Sequence, residues 1–226
     1  MALVEDKRLV DLSHVIEDGM VTYKGLPGPH ICDFWTREGS AANYDDGSTF
    51  QIGKIELVAN TGTYLDSPFH RYADGADLSE LDLRSLADVT GIVVRSPWEN
   101  GLTIGSEAFA GRDVAGKAVL VHTGWDRHWR TDAYFGEHPY LTAAAADWLA
   151  EQGAVIVGID SVNIDDAHSG GERPAHSILL GAGVPVLEHL TGLARVPDRG
   201  ARLHAVPARV REFGTFPVRA YAVVPH

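Results

Sequence analysis

Along the chain, short apolar runs alternate with turn residues, and long amphipathic stretches are few. The runs at 8–13 (RLVDLS), 55–60 (IELVAN), 91–95 (GIVVR), 117–123 (KAVLVHT), 154–160 (AVIVGID), 202–208 (RLHAVPA) and 216–224 (FPVRAYAVV) are apolar or β-branched. Each is bounded by turn residues, and the pattern predicts strands. One segment predicts a helix, 141–152 (LTAAAADWLAEQ): Thr142 suits the N-cap, Leu141, Ala145, Trp148 and Leu149 share a stripe, and Gly153 suits the stop. A further helix is expected over 77–87 (DLSELDLRSLA) and a single turn over 106–109. The helix at 141–152 runs straight into the strand at 154–160, an αβ unit. The whole pattern predicts a mixed α/β fold rich in strand. Residues 24–53 break the periodicity, with Gly, Pro and polar residues around Phe34, Trp35 and Tyr44. Such a stretch is expected to be a functional loop or lid, or a plain surface loop.

Composition narrows the picture. The 226 residues are 45% hydrophobic and 22% charged, enough for one domain over 1–226 with a sizeable core. No repeat, linker or low-complexity tract divides them. Nineteen basic against 31 acidic residues give a net charge of −12, which argues against nucleic acid or an anionic membrane as partner. The lone cysteine, Cys32, allows no internal disulfide and fits a reducing cytoplasm. No apolar run approaches membrane-spanning length, and MALVEDKRLV lacks the apolar stretch of a signal peptide.

Several standard motifs are missing. There is no G-x-S-x-G, no H-E-x-x-H and no P-loop. Gly181-Ala182-Gly183 lacks a preceding strand and the third glycine of a dinucleotide fingerprint. Two polar clusters remain. In the first, Asn60-Thr61-Gly62-Thr63-Tyr64-Leu65-Asp66-Ser67-Pro68-Phe69-His70, Gly62 and Pro68 disfavour a helix and predict an extended chain. Alternation then puts Asn60, Tyr64, Asp66 and His70 on one face. A carboxylate beside an imidazole suits a metal ligand next to a general base, or else a polar turn with Asp66 capping amides. In the second cluster, a strand leads into Asp160–Asp166, followed by Arg173-Pro174-Ala175-His176 and by an apolar run that ends at Glu188. A carboxylate there needs a partner, a proton or a metal, and His176 is a plausible companion.

Taken in order, these segments resemble the cyclase family, which includes bacterial kynurenine formamidase and isatin hydrolase. Its signature is H-x-G-T-H-x-D-x-P-x-H, then P-x-H-x-x-L-L, then E-x-L. Here it reads from Asn60 to His70, from Pro174 to Leu180, and from Glu188 to Leu190. Asp11-Leu12-Ser13, His122-Thr123-Gly124-Trp125 and the 154–166 block extend the likeness over most of the chain. The resemblance implies a domain of the swivelling β/β/α type and metal-assisted hydrolysis of a small, aromatic amide, formamide, lactam or lactone. It implies Asp66, His176 and Glu188 as metal ligands, His70 as proton carrier, Tyr23 on the substrate pocket, and a homo-oligomer, dimer or tetramer.

The chain departs from the signature at two positions, where Asn60 and Tyr64 replace histidines. An amide oxygen is a neutral donor, and a phenol is a ligand only as phenolate. One Zn²⁺ or Mn²⁺ is therefore expected rather than two, with Asn60 left to the substrate and the Tyr64 hydroxyl to a developing oxyanion. Two other readings stay open: metal-free lyase or cyclase chemistry with His70 as base, and a ligand binder without catalysis. Among the other histidines, His14 is expected to line the site and His122 to sit in the core. His128, His138, His189, His204 and His226 read as surface or satisfied, and His168 as a reserve ligand. The strand ends at 60–70, 122–125 and 160–166 are expected to meet in one pocket.

Overall fold

A computed structural model describes residues 7–225. In chain order its strands are β1 (Arg8–Asp11), β2 (His30–Trp35), β3 (Ile52–Glu56), β4 (Tyr64–Asp66), β5 (Val89–Arg95), β6 (Thr103–Ile104), β7 (Ala118–His122), β8 (Tyr140–Leu141), β9 (Ile156–Ile159), β10 (Val186–Glu188), β11 (Arg199–His204), β12 (Thr215–Pro217) and β13 (Tyr221–Val224). The helices are α1 (Arg37–Ala41), α2 (Ala143–Glu151) and α3 (Pro174–Gly181), with short 3₁₀ turns between elements.

Nine strands form one sheet in the order β1-β13-β11-β5-β7-β9-β10-β4-β12. β5, β7, β9 and β10 run parallel in its middle, and antiparallel strands flank them on both sides. The parallel strands are buried on both faces, so they read as continuous apolar runs. Val93, Leu120 and Leu187 enter one core, and Val94, Val121 and Val186 the other. The first core also takes Val10 and Ala222 from one end of the sheet and Leu65 from the other. Strands from opposite ends can share a cluster only if the sheet curls around it. The second core lies under α2 and α3. Thr142 caps α2 by accepting from the Ala145 amide, and Gly153 follows with φ 78°. The fold is the expected mixed α/β type, mostly sheet.

Several expected elements differ. The helix over 77–87 is only a 3₁₀ turn, Leu83–Ser85. Asp77 and Asp82 accept from the amides of Ser79 and Arg84, and these local turns compete with a helix. The strand expected at 55–60 lies at Ile52–Glu56. The run at 216–224 splits into β12 and β13, and β11 ends at His204, before Pro207. Residues 24–53 are not a bare loop. They hold β2, α1 and the start of β3, and β2 pairs with β3 as an antiparallel hairpin. α3 is not among the expected elements; Pro174 occupies its first turn, where proline is tolerated. His226 lies outside the described residues.

Candidate active site

The site is built by cross-strand register. β4 runs between β10 and β12, so Tyr64 lies opposite Glu188 and Asp66 opposite Thr215. Residues opposite one another in an antiparallel pair project to the same face. Tyr64, Asp66, Glu188 and Thr215 therefore share the helix-covered face, while Leu65 turns into the other core. The extended stretch ends at Asp66, and Pro68–His70 form a 3₁₀ turn with proline in its first position. The turn brings His70 back toward Asp66, with Nδ1 3.6 Å from Oδ1. α3 then lowers His176 onto the same face.

Asp165 fixes the pose of His176. Its carboxylate accepts from the Ala175 amide at 2.6 Å and the His176 amide at 3.0 Å, satisfying the open first turn of α3. The same carboxylate lies 2.7 Å from His176 Nδ1. That bond takes the Nδ1 proton and aims Nε2 inward, 3.6 Å from Asp66 Oδ2 and 3.5 Å from Glu188 Oε1. Glu188 is buried, with Oε1 accepting from the Ile164 amide and Oε2 from the Tyr64 hydroxyl, both at 2.6 Å. The single Tyr64 proton is thus engaged by Glu188.

Thr215 joins two acid–base groups. Its hydroxyl donates to Asp66 Oδ1 and lies 2.8 Å from His70 Nδ1. Having given its only proton to Asp66, the hydroxyl accepts from His70 Nδ1–H, which leaves a lone pair on His70 Nε2. Asp66 Oδ2 is buried and has no hydrogen-bond partner.

Electrostatics reflect this crowding. Burial works to lower the pKa of His176, but Glu188, Asp165 and Asp66 outweigh it and raise it above the ordinary imidazole range. Burial raises Glu188. Burial, with Glu188 and Asp66 adding to it, pushes the Tyr64 phenol well above its usual value. Tyr64 is therefore a neutral donor, not a phenolate ligand.

A cavity of about 230 Å³ opens over these groups. Tyr23, Leu26, Asn60, Tyr64, His70 and Glu188 line it, together with Arg71, Asn163, Arg173 and His176. Ligand atoms of Asp66, His70 and His176 converge within 4.8 Å of one another. The expected Tyr23, Asn60, Tyr64, Asp66, His70, His176 and Glu188 thus gather in one place. A larger cleft of about 1140 Å³ lies between residues 69–86 and 206–212, but its buried acid, Asp77, already accepts from Ser79 and Glu212.

Other expectations fail. Residues 122–125 do not line the cavity: Thr123 and Gly124 donate to the buried Asp160 instead. His14 stacks on Trp129 at 3.9 Å, away from the cavity. His122 is half-buried beside Arg95, and His168 Nε2 meets the Gly136 carbonyl. His189 is buried with Nε2 lacking a partner, whereas His138 is satisfied as expected, with Nδ1 beside the Pro139 carbonyl and Ser161 Oγ and Nε2 accepting from the Ala167 amide. Thr215, Asp165, Arg71 and Arg173 are site residues that the sequence reading does not single out. Thr215 enters through strand register, which leaves no local signal, whereas Arg71 directly follows His70 and Asp165 and Arg173 lie in the second polar cluster.

Comparisons with known proteins agree with this architecture. A family model described as putative cyclase matches residues 10–166. A kynurenine formamidase from Bacillus cereus is 26% identical over 212 residues, covering 93% of this chain and 95% of that protein. Isatin hydrolase A from Labrenzia aggregata superposes with a TM-score of 0.82 at 23% identity, covering 97% and 94%. A predicted metal-dependent hydrolase from Bacillus stearothermophilus gives 0.77 at 24%, covering 97% and 99%. With the match spanning both polar clusters up to Asp166, and with the shared fold, the chain belongs to the cyclase family.

Proposed function

We propose that this protein is a metal-dependent hydrolase that cleaves a non-peptide C–N bond in a small amide, formamide or lactam, or opens a lactone. The observation that carries the reading is Asp66 Oδ2. A buried carboxylate oxygen without a hydrogen-bond donor costs free energy, on the order of several kcal/mol, and the one imidazole here faces three buried carboxylates, so a further cation is needed to offset them. His176 Nε2 faces it at 3.6 Å, and His70 lies in the same cluster. Asp66, His176 and Glu188 would hold one Zn²⁺ or Mn²⁺; imidazole and carboxylate donors suit either ion. A bound dication supplies Lewis acidity to the carbonyl and to water.

The remaining chemistry belongs to the chain. His70 Nε2 takes a proton from water as the water oxygen bonds to the carbonyl carbon. It returns that proton to nitrogen as the C–N bond breaks, so a formamide yields formate and an amine. Thr215 holds the imidazole in the tautomer this needs. Asp165 orients His176, and Tyr64 holds Glu188 in place rather than serving the oxyanion. Tyr23 and Leu26 supply an apolar wall for an aromatic substrate, and Asn60 an amide contact. The relatives named kynurenine formamidase and isatin hydrolase support this class of substrate. The unpaired Cys32 supports a cytoplasmic setting, and no helix among the described residues is long and apolar enough to cross a membrane.

The test is metal analysis of protein purified without chelator or histidine tag, alongside turnover of aryl formamides and cyclic amides. One ion per chain, and activity lost in chelator and restored by Zn²⁺ or Mn²⁺, is expected. Full turnover in chelator would overturn the metal role. No turnover of any amide or lactone would overturn the hydrolase.

A further inference from the structure

Two guanidinium groups line the cavity, and the chemistry above uses neither. Arg71 follows His70 and is exposed, while Arg173 is half-buried at the start of α3. In a chain with 31 acidic and 19 basic residues, a cation finds a carboxylate easily. Neither arginine pairs with one among the described residues. The Arg71 side chain makes one hydrogen bond, from Nε to Ser177 Oγ at 3.1 Å. Its two terminal nitrogens stay open. Arg173 spends Nη1 on the Asp166 and Glu172 carbonyls, at 3.1 and 2.6 Å, and on Ser169 Oγ at 3.3 Å. Its Nε and Nη2 edge stays open.

The two arginines also meet the same turn of the fold. Ser177 Oγ donates to the Arg173 carbonyl at 2.8 Å while accepting from Arg71 Nε. One hydroxyl thus anchors the Arg71 guanidinium to the helix turn that Arg173 opens, while the Arg173 guanidinium is held separately through Nη1. A guanidinium pinned on one edge presents the other as a fixed fork, the geometry a carboxylate accepts in bidentate fashion. Burial orders the cavity. Tyr64, His176 and Glu188 form its floor, at 5% exposure or less, and Arg71 stands at its mouth. An anion held at the mouth lies away from the buried floor of His176 and Glu188.

We propose that Arg71 and Arg173 form a carboxylate clamp, and that the substrate carries a carboxylate remote from its scissile C–N bond. This rests on the hydrolase reading for the bond cleaved, but not for the clamp. The clamp selects anionic members among small amides, and the −12 chain uses it to hold an anion it would otherwise repel.

Two measurements test it. The first compares kcat/KM for formanilide and for 3-formamidobenzoate, in the parent and in Arg71→Met, Arg173→Gln and the double variant. The ratio is read within each protein, so a general loss of activity cancels. The parent is expected to favour the carboxylate by about tenfold or more, through KM, and the double variant to lose that preference. Equal ratios in parent and double variant would overturn the clamp. The second measurement is calorimetric binding of 3-aminobenzoate against 3-aminobenzamide to the same proteins, which needs no turnover. Preference for the anion, lost in the double variant, supports the clamp even if no amide is hydrolysed. Equal binding of the two overturns it even if hydrolysis is brisk. A carboxylate could also arise from ring opening. If 3-aminobenzoate binds preferentially while 3-formamidobenzoate gains nothing over formanilide, the clamp serves a product and the substrate assignment falls.

Discussion

At the scale of residues, the site divides by exposure. The His70 side chain is 36% exposed and can exchange protons with solvent, whereas the His176 side chain is 6% exposed and boxed by three carboxylates. His70→Ala is expected to lower kcat by about 10²- to 10⁴-fold while keeping the bound ion. Glu188→Gln is expected to lose the ion and the activity together. Metal analysis of the two variants checks the division, and an ion lost from His70→Ala would make His70 a ligand instead. A second histidine sets a pH dependence away from the site. Burial lowers His14 to about 4, with Asp126 opposing. Between pH 6.5 and 4 the unfolded chain binds a proton there that the folded chain refuses, so stability falls as pH drops through that window. The loss is at most about 3 kcal/mol. Asp160, raised by burial to about 7, acts with the opposite sign as pH falls from 7 to 4. The comparison must therefore be made against His14→Phe, which keeps an aromatic ring on Trp129. Urea midpoints from pH 7 to 4 are expected to fall less in the variant than in the parent.

At the scale of elements, the His70 turn depends on glycines that no motif marks. A Cβ on Gly214 would come within 2.6 Å of the His70 backbone, and one on Gly75 within 2.8 Å of Pro68. Backbone cannot yield as a side chain tip can. Gly214→Ala is thus expected to displace the turn, cutting kcat by about 100-fold at a stability cost of about 1–3 kcal/mol. Normal kinetics in that variant would show that the turn tolerates the shift. The same contrast explains what the sequence reveals. Tyr64 and Asp66 are legible because alternation along β4 puts them on one face, whereas His70 reaches that face through the 3₁₀ turn at Pro68–His70 and not through alternation. Parallel strands such as β7 and β9 are legible because burial on both sides leaves an unbroken apolar run. Thr215 is not, because its place opposite Asp66 is a matter of register across 149 residues. The helix expected at 77–87 fails for a local reason: aspartates that favour a first turn also close turns of their own.

At the scale of the whole molecule, the β2–β3 hairpin stands apart from the nine-stranded sheet. Ile31, Phe34, Trp35, Ile52 and Ile55 are all exposed on it. A two-stranded hairpin is marginal alone in water, so a second copy of the chain is expected to cover it. Light scattering is expected to give at least twice the 24.4 kDa chain mass, falling toward one chain in Phe34→Asp with Ile55→Asp. A monomeric parent would contradict this. The sheet order also has a temporal side. Among the described residues β1 has β13 as its sole neighbour, and β4 needs β12 to bring Thr215 to Asp66. During translation, residues 8–11 and 64–66 leave the ribosome long before their partners at 221–224 and 215–217. At roughly 5–20 residues per second, the early strands wait many seconds with open edges. A chain that ends before residue 215 is expected to leave β1 unpaired and to lack the Thr215 hydroxyl that joins Asp66 to His70.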